Sequence, residues 1–324
     1  MSTTTTSFDL TRAFGAAPSF FAILATAGVF ALGACDRSPP PAADKPSADK
    51  PGGSVTTSAA EKAPLGKQTI RASGSSALQP LVNAAKEKFE TDNKSISVEV
   101  SAGGSKKGLA DVASGAVHIG NSDIFAPADL KAQLVDHKVA VVGFAAMANK
   151  GAFNEKILAL TLDQMAKVFS GAVKDWKDLG GAPQPIVVIN RAAGSGTRTV
   201  FGNAVLGGDK FVEGQTEDNS GALVAKLKQT KGAISYLALS FKDDSLVTIP
   251  VKTDKGAVDA SPETIASGAY PIWSYEHMFT KGEPTGATKQ FLEYVLSSDF
   301  QSKVVPSVKG FIPVTQMKVT KDKD

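Results

Sequence analysis

PIVVINRAAGSGTRTVFGNAV, residues 185–205, runs from strand to turn to helix in one stretch. The branched apolar run that ends at Arg191 reads as a buried strand. Ser195 precedes Val200, Phe201, Ala204 and Val205, whose spacing puts them on one face of a helix. Between them lies Gly194-Ser195-Gly196-Thr197, a turn of small and hydroxyl residues at a helix start. Such a turn offers unpaired backbone N–H groups and partial positive charge, which suits an oxyanion.

Two more turns share this character: Gly74-Ser75-Ser76 and Gly103-Gly104-Ser105. Plain helix capping is the ordinary role of Ser and Thr in such places, and Ser76 with Gln79 fits a capping box. Three such turns in one chain, with Arg191 just before one and Asp123 downstream of another, point instead to a shared anion site.

Outward from these turns, strand-like and helix-like segments alternate. Strands are predicted over 68–73, 95–101, 116–122, 138–149, 185–191 and 232–240, with mixed extended character over 245–251 and 269–279. Helices are predicted after Ser76, carrying Leu78, Leu81, Val82, Ala85 and Phe89 inward, and after Ser105, carrying Leu109, Val112 and Ala113. Others are expected over 160–171, after Ser195, over 222–229 and over 288–296. This order argues for an α/β fold with mainly parallel sheets. Two such halves, each with anion turns, imply two lobes around a cleft. The segments 138–149 and 269–279 are expected as the strands joining them. Lobe I is assigned 68–142 and 278–324, lobe II 143–277, and the tail 318–324 is expected to fray.

The N-terminal region reads differently. Residues 1–34 carry only Asp9 and Arg12, and 13–34 form an apolar or small-residue run ending at Leu32-Gly33-Ala34-Cys35. A charged start, an apolar centre and small residues before a cut site describe a signal peptide, here 1–34; the run is also long enough to be an uncleaved anchor. Cys35 is the only cysteine, so no intramolecular disulfide is possible. Residues 35–67 are rich in Pro, Ala, Ser, Asp and Lys and read as a disordered tether. At about 5–6 Å × √n it would reach roughly 30 Å. The net charge of +3 is mild, and no basic stripe with interleaved aromatics speaks for nucleic acid. His118, His137 and His277 are scattered without metal-ligand spacing, so neither metal nor cofactor is expected. Trp176 and Trp273 read as core or hinge packing.

SGSSALQPL (73–81), GGSKKGLADVASGAVHIGNSD (103–123), FSGAVKDWKDLGG (169–181) and RAAGSGTRTVF (191–201), in this order, resemble the phosphate-binding proteins of bacterial phosphate ABC transporters, the PstS-like periplasmic solute-binding family. The resemblance spans nearly all of 68–318. It implies a two-lobed periplasmic-binding-protein fold, type II-like, closing on one dehydrated phosphate, with an ABC permease as partner and a monomeric receptor. Leu-x-x-Cys likewise resembles a bacterial lipobox, which implies acylation of Cys35 and an extracytoplasmic, lipid-anchored protein. Carried over by position, one lobe would supply Ser76, the Ala77 N–H, Ser105 and Asp123. The other would supply Arg191, Ser195, Gly196 and Thr197. The chain departs from relatives at Lys106 and Lys107, where small residues are common, and at Ala193, where an acid often orients the arginine.

The residue chemistry agrees with this. Hydroxyls of Ser76, Ser105, Ser195 and Thr197 donate to anion oxygens, and the Arg191 fork matches two of them. A carboxylate such as Asp123 repels an anion unless the ligand brings a proton. Phosphate does so near neutral pH, since phosphate-type second pKa values lie near 6; sulfate and molybdate do not, and arsenate does. Other readings are a different oxyanion on the same fold, a sensor without transport, and an esterase or phosphatase built on Ser195. The last lacks Gly-x-Ser-x-Gly spacing and an assignable histidine base. One acyl chain holds a protein only marginally, so anchoring at Cys35 requires more than one. Cys35→Ser should abolish lipid labelling and move the protein out of the membrane fraction on cell fractionation.

Overall fold

A computed structural model describes residues 67–151 and 159–323. The readings of the apolar run, the Cys35 site and the tether up to Gly66 lie outside these residues. The first half of the fold opens with β1 (Gln68–Gly74), α1 (Gln79–Asp92), β2 (Ile96–Ala102), α2 (Ser105–Ser114) and β3 (Ile119–Ser122). β1 lies between β2 and β3 and runs parallel to both. A single turn, α3 (Ala128–Lys131), leads into β4 (Leu134–Asn149), a strand of 16 residues.

The second half holds α4 (Leu162–Phe169), β5 (Val187–Arg191), α5 (Gly196–Leu206), β6 (Gln215–Glu217), α6 (Ser220–Gln229) and β7 (Ala233–Ala238). Here β5 runs parallel to both β6 and β7. β8 (Leu246–Thr248) joins β4, while β9 (Val251–Thr253) and β10 (Gly256–Val258) form a separate hairpin. α7 (Pro262–Ala266), β11 (Trp273–Lys281), α8 (Gly286–Leu296) and β12 (Phe311–Ile312) complete the order.

β4 ties the halves together. Its residues up to Gly143 pair with β11 and β12, and its residues from Phe144 pair with β7 and β8. Val139 to Ala148 are buried apart from Gly143's lack of a side chain, an uninterrupted apolar run that needs cover on both faces. Every pairing of β4 or β11 is antiparallel. The sheet is therefore mixed, not mainly parallel as the alternation implied. The reason is topological: one segment carries the chain out of the first half and another brings it back, so the two run in opposite directions.

Other boundaries shift too. β11 pairs with β4 along Trp273–Lys281 and with β3 at His277–Phe279, so residues 273–277 join the sheet of the first half. α1 begins at Gln79, three residues after the expected cap. The tail is tied down through Lys321 instead of fraying. The Lys318 N–H donates to the Ala266 carbonyl (2.8 Å), and Lys321 Nζ donates to the Trp273 carbonyl (2.6 Å) and sits 4.5 Å from its ring. Both tryptophans pack as expected: Trp176 is buried, its indole N–H donating to the Gly232 carbonyl, and Trp273 is 3% exposed.

Under β5 lies an aromatic cluster. Phe201 stacks on Tyr236 at 4.8 Å and meets Phe169 edge-on at 4.9 Å. The Tyr236 hydroxyl accepts from the Arg191 N–H (3.2 Å), so the cluster supports the backbone that carries Arg191. Burial pushes the Tyr236 pKa up to about 12, keeping that hydroxyl neutral. Phe201→Ala should cost about 3–5 kcal/mol of unfolding free energy, measured by urea denaturation, and should loosen Arg191 with it.

Candidate functional site

Four helix starts converge where the halves meet. The first is the turn before α1. Its cap is Ser75, not Ser76: Ser75 Oγ accepts from the N–H groups of Ala77 (3.0 Å) and Leu78 (3.2 Å). The Ala77 N–H expected to face ligand is thus engaged in its own turn. Ser76 is left free to face the other half. Its Oγ lies 3.0 Å from Ser220 Oγ and accepts from Arg191 Nη2 (3.1 Å) and the Ser220 N–H (3.2 Å).

The second start is α2. Ser105 Oγ accepts from the Asp123 N–H (2.9 Å), fixing the backbone of that acid. Lys106 and Lys107 are exposed and do not crowd the turn. Lys107 pairs with Asp111 (2.6 Å), and the Lys106 N–H donates across to the Gly194 carbonyl (3.0 Å).

The third start is α5, where Ser195 Oγ caps the helix by accepting from the Arg198 N–H (3.2 Å). Thr197 Oγ1 donates to Asp123 Oδ2 (2.8 Å), and Ser75 Oγ donates to Asp123 Oδ1. Asp123 is 1% exposed and takes hydroxyl donors from both halves.

The fourth start is α6, with Asn219 as its cap, and it was not singled out in the sequence. Asp218-Asn219-Ser220 before a helical run is the same kind of signal as the other three turns. It supplies what Ala193 lacks. Arg191 Nη1 donates to Ser220 Oγ (3.1 Å) and Nη2 to the Asp218 carbonyl (3.3 Å). Burial draws the Arg191 pKa down, while the charges of Asp123 and Asp218 act the other way. An arginine nonetheless keeps its charge in proteins.

The structure thus brings two hydrogen-bonded groups side by side, Ser76 with Arg191 and Ser220 and Asp123 with Ser75, Ser105 and Thr197, with Gly196 against the second and Ala77 and Ser195 in the flanking turns. Sequence reasoning missed Ser75, Ser220 and Glu276. Glu276 is fully buried on β11 beside Asp123, and nothing in its local sequence marks it. All three histidines hold structural bonds: His118 Nδ1 accepts from the Arg71 N–H, His137 Nε2 lies 3.1 Å from Thr280 Oγ1, and His277 Nδ1 lies 2.7 Å from Asp136. No group of three or more His, Cys, Asp or Glu among the described residues is arranged to hold a metal.

A PBP superfamily domain matches residues 52–299. The phosphate-binding protein PstS of Bacillus subtilis is 47% identical over 266 residues, covering 81% of this chain and 85% of that protein. The chain belongs to the PstS phosphate-binding protein family. A solved phosphate ABC transporter substrate-binding protein with bound phosphate, from Clostridium perfringens, is similar at 29% identity and a TM-score of 0.70, covering 76% of this chain and 99% of that one. An ABC-type phosphate transport receptor from Vibrio cholerae, at 22% identity and a TM-score of 0.61, covers 75% and 99% and speaks for the fold alone.

The two-lobed fold of the family explains two glycines. A Cβ at Gly196 would stand 2.2 Å from Ser105 Oγ and 2.9 Å from Asp123 Cβ. Gly104, at φ +85°, would put a Cβ 2.6 Å from the Gly194 carbonyl oxygen. Both backbones must be bare for the halves to meet. Gly196→Ala should hold the lobes apart, seen as a larger radius of gyration in solution scattering, while the circular dichroism spectrum stays that of the parent.

Proposed function

We propose that this chain is a lipid-anchored extracytoplasmic receptor that binds inorganic phosphate between its lobes and delivers it to an ABC permease. The observation that carries this reading is Asp123: a buried carboxylate that takes hydroxyl donors from two helix starts and lies near one buried arginine. Donors alone would take any oxyanion. A fixed acceptor among them favours an anion that still carries a proton, which phosphate does and sulfate does not.

In this reading Arg191 supplies the fixed positive charge and Ser76 and Thr197 turn their hydroxyls from protein to ligand oxygens. Ser105 and Ser75 hold Asp123 and the first turn in place. Gly196 and the Ala77 backbone let the anion approach closely. Ligand bridging both lobes favours the closed state because only that state makes both sets of contacts. The cap made by Ser195 Oγ argues against Ser195 as a nucleophile. The pairing of β4 and β11 supports lobe boundaries at 143/144 and 272/273. No helix of the described residues is long and apolar enough to cross a membrane, and attachment is assigned to Cys35.

Calorimetry with phosphate and with sulfate tests the reading: phosphate should bind and sulfate should not at neutral pH, and equal affinity would overturn it. Arg191→Ala removes charge-assisted bonds of about 1.5–3 kcal/mol and should weaken phosphate at least tenfold. Asp123→Asn should narrow the preference for phosphate over sulfate in a competition titration, with sulfate becoming a measurable competitor.

A further inference from the structure

We propose that Glu276 and Asp123 act as one carboxyl–carboxylate pair with a single negative charge, Glu276 being the residue that positions Asp123 as acceptor for the ligand's proton. The proposal deepens the phosphate reading and depends on it only where ligand is added. Its first support is register. His277 on β11 pairs with Ser122, the last residue of antiparallel β3, so Glu276 and Asp123 are the next residue along each chain, at the point where β11 shifts its register against β4.

The second support is the surroundings of Glu276. It is 0% exposed, and neither carboxyl oxygen meets a partner at hydrogen-bond geometry among the described residues. Yet the carboxyl is near enough to Asp123 to feel both its charge and its acceptor oxygens. The charged groups on the elements around it are otherwise engaged. On β4, Ala140 stands opposite Glu276, Asp136 pairs with His277, His137 bonds Thr280, and Lys138 lies over the rings of Phe125 and Tyr275. On α2, Lys106 is exposed and Lys107 pairs with Asp111. Arg191 faces Asp123 from the other lobe.

These facts decide which acid keeps the proton. Both carboxyl oxygens of Asp123 are already taken as acceptors by hydroxyl donors, and the charge of Arg191 faces them. Glu276 has burial first, then the charge of Asp123, and both hold its pKa well above the ordinary range. A neutral Glu276 can donate toward Asp123 and adds no second charge beside the anion. Ionised at alkaline pH, it would add one and weaken binding.

For stability the sign is as follows. An acid with a raised pKa in the fold keeps a proton that the unfolded chain gives up. Its contribution is fully present below the ordinary glutamate range and is lost as pH rises toward the folded value. Glu276→Gln removes this dependence.

The test compares parent, Glu276→Gln and Asp123→Asn. Without phosphate, the melting temperature of Glu276→Gln relative to the parent should climb steadily from pH 5 to pH 8. A constant offset, as a purely structural role gives, would overturn the proposal. The infrared spectrum of the parent at pH 7 should hold a protonated-carboxyl C=O band that Glu276→Gln lacks; absence of that band from the parent would also overturn it. Asp123→Asn removes the neighbouring charge, so in this variant the band should titrate away at lower pH than in the parent. An unmoved titration would mean that burial alone protonates Glu276 and that no pair exists. This arm stands even if Glu276→Gln fails to fold. With inorganic phosphate added, parent affinity should fall from pH 7 to pH 9.5 at least threefold more than that of Glu276→Gln, and parallel profiles would refute the role in binding. If phosphate does not bind at all, the function reading fails while the ligand-free arms still judge the pair.

Discussion

A buried carboxylate must find donors, and Asp123 finds them on both sides of the molecule. Ser75 serves it from its own half and Thr197 from the other. Leaving such a charge buried and unpaired would cost several kcal/mol. Asp123 therefore acts as a latch between the halves. The contacts around it have the same character: Arg191 and Ser220 reach Ser76 across the junction, and the Lys106 N–H reaches the Gly194 carbonyl. The closed arrangement rests on polar groups satisfying one another, and such groups can exchange a protein partner for a ligand oxygen at little net cost.

That exchange requires the two halves to move without losing their cores. The halves are joined by few segments, and β4 contributes to the pairing of both. Gly143 and the stretch before Trp273 lie where β4 changes partners from β11 to β7 and where the chain re-enters the first half. Each helix start keeps its own turn intact as the distance between turns changes. The lone contact of Ser240 Oγ with the Ala77 carbonyl adds a further tie across the same junction.

In the proposed reading, selectivity comes from one acceptor set among many donors. Hydroxyls rotate and adapt, so they discriminate poorly between tetrahedral oxyanions. A carboxylate fixed by Ser105 through its backbone and by two hydroxyls at its oxygens cannot turn away. It imposes a cost on any anion that lacks a proton to offer. Glu276 beneath it bears on how negative that acceptor becomes as pH changes.

Much of this was legible in the sequence. Helical spacing revealed α1, α2 and α5. The Gly-Ser turns revealed three of the four helix starts, and the residues Ser76, Ser105, Asp123, Arg191 and Thr197 do come together. These signals are local: periodicity and capping act over a few residues, so the chain states them directly. What the sequence did not state depends on pairing over long separations. The antiparallel crossing of β4 and β11 joins residues more than 130 positions apart and turned a mainly parallel sheet into a mixed one. The pairing of β11 with β3 brought Glu276 beside Asp123, although YEHM reads as an ordinary strand segment. The cap moved from Ser76 to Ser75 because Ser76 is claimed by Arg191 and Ser220 from afar. Local residue chemistry determined what the groups could do; only tertiary structure decided which of them meet, because meeting is set by sheet register and lobe closure rather than by neighbours in the chain.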